Sequence, residues 1–514
     1  MSRVLVIHGG VEEEFTAAEN EILLDVLRRH DLPVSAPCGG NGTCGKCLVT
    51  LEEPDGSRDR VLACQFPVLR NLRVILNEVP GGSICTDGTV PVSAPTSARS
   101  GYGAAVDLGT TTVALKLFRL SDGAQLCAVS GWNRQAAYGA DVITRCQHCM
   151  EHPDGLERLS ILSVAQIRNL LEDACKISSV NIEDVKEIYL AGNTVMEHLL
   201  FGLSPASIAV SPFTPQSLFN DGKILGLDGI PLFPAPCVSG YVGGDITAGL
   251  LACSLHKKPG RSLFLDIGTN GEMALSGPEG FLCCAVASGP AFEGAGISCG
   301  MTSTEGAISA VHWDGQAPAL TVIGGGTPKG ICGSGLLDLL AMLLKLGIVD
   351  ETGYLQPPDE LDESFAPWLE EDEDGNGIFQ LTADRNISFT ARDVRAIQLA
   401  KAAVAAGISV LMEQAGLAFT DIDALYLAGG FGSHLNPDSA VAIGMLPEAL
   451  RNKIVCVGNA ALTGASMALL NTDSRLAIAR IQRSCTYLEL SGHPGFNRLY
   501  PEHMTFDKED SPWK

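Results

Sequence analysis

Four cysteines carry the first chemistry legible in the chain. Cys38, Cys44, Cys47 and Cys64 follow a C-x5-C-x2-C-x16-C spacing, a four-thiolate set able to hold an iron-sulfur cluster. Glycines at 39, 40, 42 and 45 let the backbone curl close and aim N–H groups at the sulfurs, which stabilises negative charge there. Tetrahedral zinc is the alternative occupant, but structural zinc normally pairs two separated C-x2-C knuckles, whereas this run is rich in glycine. Colour separates the two, because a zinc protein is colourless. An iron-sulfur cluster held there would serve as an electron carrier.

A second chemistry is written twice. AAVDLGTTTVALKLF reads as strand, turn and strand, with Asp107, Gly109 and Thr110 to Thr112 in the turn. LFLDIGTNGEMAL repeats it with Asp266, Gly268, Thr269 and Asn270. In each, glycine lets the backbone approach an anion, the following N–H and hydroxyl groups can donate to phosphate oxygens, and the Asp can hold Mg2+ through water. One such turn alone would be an ordinary hairpin; two imply similar half-domains. Between them VGGDITAGLLA, 242–252, turns on glycine into a helix with Asp245 near its start, where it could also be an N-cap. Glu272, six residues after Asp266, is a second candidate for the water-orienting acid but is expected to point along its strand to solvent. ALYLAGGFGSH, 424–434, and VGNAALTGASMALLN, 457–471, complete the series.

Other runs carry less. GICGSGLLDLLAMLLKLG, 330–347, can place helix N–H groups at an anion or simply pack against a sheet. CQHCMEH, 146–152, is too short to wrap Cys146, Cys149 and two histidines around one metal. No chemistry follows from Cys283-Cys284. The acidic run LEEDEDGNG, 369–377, reads as a solvated loop or insertion.

The elements that must position these groups fall into separate domains, since 514 residues exceed one core. In residues 1–82, RVLVI reads as a strand and Thr16-Ala-Ala-Glu19 as a capping box opening a helix through ILLDVLRRH. A hairpin turning at Asp55-Gly56 would return Cys64 to the other thiols, and NLRVILNEV would close a small sheet. Residues 83–102, rich in Ser, Thr, Pro and Gly, read as a tether. The second unit spans 103–485 in halves of about 103–260 and 261–485, and 486–514 form a C-terminal tail. A net charge of −24 argues against nucleic acid. The N-terminus lacks a signal peptide and no apolar run is long enough to span a membrane. The expectation is a cytoplasmic protein whose seventeen cysteines are not disulfide staples.

Residues 1–82 resemble the [2Fe-2S] ferredoxins, with the five-residue first gap of the adrenodoxin-like variant and a short final gap. The second unit resembles the sugar kinase, heat-shock ATPase and actin superfamily, its five motifs standing in the order phosphate 1, connect 1, phosphate 2, adenosine and connect 2. Together these imply an α+β β-grasp ferredoxin domain followed by an α/β actin-like (ASKHA) ATPase of two duplicated half-domains. The resemblance implies ATP in the cleft, Gly429, Gly430 and Gly432 near adenosine and ribose, Asp107 and Asp266 organising Mg2+ and water, and Asp245 orienting the attacking water.

The whole arrangement, closing on LELSGHPGFNRLYPEHMTF, resembles the reductive activators of corrinoid-dependent enzymes. That implies ATP-driven one-electron reduction of a corrinoid protein from Co(II) to Co(I), fed by a low-potential reductase or ferredoxin. ATP is needed because every ~59 mV by which the acceptor lies below the donor costs about 1.4 kcal/mol. Compared with the longest members, the chain reads as lacking a separate middle domain, which leaves a homodimer open. The alternatives are a small-molecule kinase fused to a redox-sensing ferredoxin domain and an ATP-gated redox switch. Partner-stimulated hydrolysis, a small phosphate acceptor or near-absent turnover separates the three.

Overall fold

Alternation builds the first sheet: in Ser2–His8, Val4 and Val6 are buried while their neighbours lie nearer solvent. The computed structural model describes the chain apart from residues 9, 31, 33, 35, 37–39, 41, 43–46, 77–85, 87, 93–94, 96–98, 223, 433–434, 507–512 and 514, and the side chain of Phe431. From edge to edge the sheet runs Val11–Ala17, Ser2–His8, Leu72–Ile75, Leu48–Glu52, Arg58–Leu62. Helix Leu23–Arg29 buries Leu23, Leu24, Val26 and Leu27 against it, completing a β-grasp. The hairpin turn is held by Asp55, which accepts from Ser57 N at 2.9 Å, and by Gly56 at φ +85°.

The expected capping box does not form. Thr16 lies in Val11–Ala17 opposite Arg3, and the helix starts at Leu23 behind Ile22, which supplies no side-chain cap. The sheet ladder claims the Thr16 backbone, and Glu21 Oε2 instead accepts from Ala18 N at 2.7 Å.

Two six-stranded sheets follow. One runs Leu225–Leu227, Ile230–Pro234, Val185–Gly192, Tyr102–Leu108, Thr112–Arg119, Gln125–Trp132; the other runs Ile454–Gly458, Ala424–Ala428, Ser262–Ile267, Gly271–Gly277, Gly280–Val286, Cys485–Tyr487. In both, the strand ending in the motif Asp is parallel to one neighbour and antiparallel to its hairpin partner. This repeated pairing makes the unit an actin-like pair of half-domains. Helices Gly244–Ala252 and Ala460–Leu470 pack together between the sheets, so closely that a Cβ at Gly464 would strike Ala248 O. Phe118 and Tyr189 from one sheet and Phe264 and Phe281 from the other share the core around them.

Three segments are more ordered than their composition suggests. Within the tether, Gly88 bridges to Gly458, Thr89 N donates to Val457 O at 3.2 Å, and Arg99 pairs with Glu187. Ile454–Gly458 is an edge strand with backbone groups to satisfy, which explains why the segment lies along it. The acidic run is a hairpin of Leu369–Glu371 and Gly377–Gln380, its turn held by Asp372 accepting from Asn376 N at 2.8 Å. The tail contributes strand Cys485–Tyr487 and helix Pro494–Glu502. Leu499 and Phe506 bury against Ala391–Ala415, the one helix among the described residues apolar and long enough to cross a membrane, and Trp513 packs on Phe419 and His503. With 83% of its most apolar window buried, that helix is a core element.

Candidate active site

A cavity of about 250 Å³ opens between the half-domains. Asp107 and Asp266 stand at its floor near the ends of equivalent strands. Each following turn is closed by a glycine N–H: Gly109 donates to Thr112 O at 3.0 Å and Gly268 to Asn270 O at 2.9 Å. The cavity is lined by Gly109, Thr110 and Thr111 on one side, by Gly268, Thr269 and Asn270 on the other, and by Gly429 and Gly430. Gly432 is not part of the lining and packs beside Leu427. Gly429 adopts φ +90°, and a Cβ there would lie 2.5 Å from Asp266 Oδ1, so only glycine lets this turn touch the carboxylate.

Asp245 also lines the cavity. The cap of its helix is Gly243, and Asp245 sits in the first turn with Oδ1 accepting from Ile246 N at 2.8 Å, so the N-cap reading does not hold. The solvent reading of Glu272 fails as well. Glu272 lies opposite Asp266 in the ladder, is buried, lines the cavity and accepts from Asn193 Nδ2 at 3.3 Å.

Burial lifts these carboxyls out of their usual range. Asp107 rises to about 6, a rise opposed by the hydrogen bond from Asn459. Asp245 rises to about 7 through burial, with the Asp107 charge adding to it. Asp266 rises to about 8 through burial and the charges of Asp245 and Asp107. Glu272 is raised too, by burial and then by Asp245 and Asp266. No Lys, Arg or His stands among the described lining residues. With Glu293, five carboxylates line the cavity without a described cationic side chain, which suits a hard divalent ion such as Mg2+.

Asn193, Asn459 and Arg145 escaped the motif reading. Asn459 caps Leu462 N with Oδ1 at 2.7 Å and donates from Nδ2 to Asp107 Oδ2 at 2.7 Å. Asn193 likewise caps Val195 N at 3.0 Å while holding Glu272. A repeat in the sequence could have found it: Tyr189-Leu-Ala-Gly-Asn193 matches Tyr426-Leu-Ala-Gly-Gly430. Arg145 is fully buried and donates to Thr110 O at 2.6 Å and Gly139 O at 2.9 Å; burial lowers its pKa to about 9.

At the thiol site, the hairpin brings Cys64 Sγ to 3.2 Å from Cys47 Sγ, and neither cysteine is in a disulfide. Gly40 and Gly42 adopt φ +103° and +73°, and a Cβ at Gly42 would strike Gln65. Two converging thiols beside a tight glycine turn fit a cluster site; Cys38 and Cys44 lie outside the described residues. In helix Val142–Glu151, burial pushes the Cys146 and Cys149 thiols up to about 12 and about 11, and no group of three metal-capable side chains exists among the described residues. Cys283 and Cys284 are fully buried in strand Gly280–Val286.

Fold and site together define a protein with an iron-sulfur domain joined to an ASKHA domain. Three family models match: the 2Fe-2S iron-sulfur cluster binding domain over 6–69, the RACo middle region over 102–258, and the C-terminal domain of RACo, the ASKHA domain, over 260–514. The chain belongs to this family of reductive activators. It is not short of a middle domain: the first half-domain is the matched middle region. Among similar proteins, the corrinoid activation enzyme RamQ of Eubacterium limosum is 29% identical over 96% of this chain and 98% of its own. The [Co(II) methylated amine-specific corrinoid protein] reductase of Methanosarcina barkeri is 23% identical over 80% of this chain and 78% of its own. A solved structure, titled reductive activator for corrinoid,iron-sulfur protein, covers 99% of both chains at 29% identity with a TM-score of 0.72.

Proposed function

We propose that the chain uses ATP in the half-domain cleft to drive one-electron reduction of a corrinoid protein from Co(II) to Co(I). The observation that supports this most strongly is the pairing of a thiol site with a carboxylate-lined cleft, on a chain similar over its full length to a reductive activator. Cys38, Cys44, Cys47 and Cys64 would hold a [2Fe-2S] cluster, which when bound supplies a low-potential electron.

In the cleft, the turns at 109–112 and 268–270 present N–H and hydroxyl donors to the phosphates, and Gly429 and Gly430 leave room for adenosine and ribose. Asp107 and Asp266 would organise Mg2+, which neutralises phosphate charge that no cationic side chain among the described lining residues meets. Asp245 orients the attacking water, and Asn459 and Asn193 hold Asp107 and Glu272 in place. The reading includes a low-potential reductase or ferredoxin as electron donor, a cytoplasmic setting, and domain limits of 1–82 and 103–485. The test is spectroscopic. Reduced protein mixed with a Co(II) corrinoid protein should generate the Co(I) absorption only when Mg-ATP is added; equal reduction without nucleotide would overturn the proposal.

A further inference from the structure

One carboxylate in the cleft is engaged by both half-domains at once. Thr111 Oγ1, in the turn after Tyr102–Leu108, donates to Glu293 Oε2 at 3.0 Å; Thr269 Oγ1, in the equivalent turn after Ser262–Ile267, donates to Glu293 Oε1 at 3.0 Å. The two hydroxyls are themselves 3.5 Å apart. They are the donors a terminal phosphate would meet on entering between the turns. A carboxylate and a phosphate offer such a pair the same chemistry, two anionic oxygens that each accept one hydrogen bond. Burial raises the Glu293 pKa, and the bonds from Thr111 and Thr269 and the charge of Arg145 oppose that rise.

Glu293 sits on a short backbone turn flanked by two glycines. The residue closes the short turn Pro290–Glu293, between Gly289 at φ +74° and Gly294 at φ +81°. A Cβ at Gly294 would lie 2.5 Å from Met301 O, whereas one at Gly289 would meet nothing within 4 Å. Ser288 Oγ donates to Gly268 O at 3.1 Å and to Thr269 O at 3.2 Å, and Ala291 and Phe292 are buried, so the turn is held on both sides and Glu293 leaves the two hydroxyls by rotating its own side chain.

We propose that Glu293 is a positioning residue that stands in for the terminal phosphate: in the nucleotide-free protein it ties Thr111 to Thr269, and the terminal phosphate of ATP displaces it to reach the same hydroxyls. ADP is one phosphate shorter and leaves the tie in place. The two nucleotides then differ in whether the half-domains are bridged by protein or by ligand. This inference rests on the nucleotide reading of the cleft.

The test is calorimetric titration of the full-length protein with Mg2+ and either the β,γ-imido analogue of ATP or ADP. Glu293→Gln removes the charge that the terminal phosphate must displace. The analogue should bind this variant about tenfold more tightly, in line with one hydrogen bond to a charged group, while ADP affinity changes by less than about twofold. Glu293→Asp keeps the charge but is one methylene too short to span both hydroxyls. It should show the same preference with a smaller gain, and it serves if the Gln variant does not fold. Unchanged analogue affinity in a folded variant, or an equal gain for both nucleotides, overturns the stand-in role. Lost hydrolysis with neither affinity altered overturns it too and assigns Glu293 to the attacking water. Wild-type protein that binds neither nucleotide overturns the reading of the cleft itself.

Discussion

Asp107, Asp245 and Asp266 were legible because each sits in a short motif whose glycine and neighbours announce a turn. Ala substitution of Asp107 or Asp266 should lower ATP turnover by at least about a hundredfold, since each would lose a metal-organising carboxylate, and should leave the visible cluster spectrum unchanged. Asp245→Asn should keep nucleotide affinity and lose turnover. Normal hydrolysis in these variants would remove the cleft assignment. The same acids fix a pH dependence. Their folded pKa values of about 6, 7 and 8 lie above the unfolded carboxyl value of about 4, so the folded state binds more protons between those limits. Without metal or nucleotide, stability is therefore greatest near the acidic end of this window and falls as pH rises from about 5 to 8. Thermal melts at pH 6 and 8 should show that fall, and Mg2+ should reduce it. Glu272 was misread because alternation along a strand implies one wet face, whereas Gly271–Met273 and the residues to Ser276 are buried on both faces.

Element type was read correctly where periodicity was local, and wrongly where a partner distant in sequence decides. Thr16 satisfies a capping pattern, yet its backbone is taken by Arg3 across an antiparallel ladder. The C-terminal segment shows only nine helical residues, Pro494–Glu502, so its hold on the fold is hidden in composition. That hold is tertiary: Lys401 Nζ donates to Thr505 O at 2.6 Å, Gln398 Nε2 to Met504 O at 2.9 Å, and the Lys401 ammonium lies 5.2 Å from the Phe506 ring centre. Phe506 is 3% exposed, so Phe506→Ala should destabilise the ASKHA domain by about 3 kcal/mol. A denaturant titration following the buried tryptophan would measure it, and a shift below about 1 kcal/mol would mean the segment only decorates the surface.

Arg28 marks where the two units of the molecule meet. Its Nε donates to Ala137 O at 2.7 Å and its guanidinium lies 5.2 Å from the Tyr138 ring centre, while its own carbonyl accepts from Arg158 Nη2 at 3.0 Å. A cavity of about 280 Å³ at this junction has Cys64 on one wall and His148 and His152 on the other. A tether of about twenty flexible residues would span roughly 25 Å and let the ferredoxin domain swing, which is what linker composition alone implies. Docking could not be read from it, because Arg28 and Ala137 are 109 positions apart. The docked arrangement puts helix Val142–Glu151 between the two sites: His148 faces the Cys64 cavity, and Arg145 holds Thr110 of the phosphate turn. Nucleotide can act on docking through that helix only if the docked and released forms differ in affinity for it. Arg28→Ala weakens the docked form by about 1.5 kcal/mol, roughly tenfold in population. Small-angle scattering of the nucleotide-free variant should then show a larger radius of gyration, and ATP should bind the variant more tightly because more of it is already released. Reduction of the Co(II) corrinoid protein should lose part of its dependence on ATP, because release of the ferredoxin domain no longer waits for nucleotide. If scattering changes but the ratio of rates with and without ATP does not, docking plays no part in coupling, and the energy from ATP must reach the cobalt through the corrinoid partner instead.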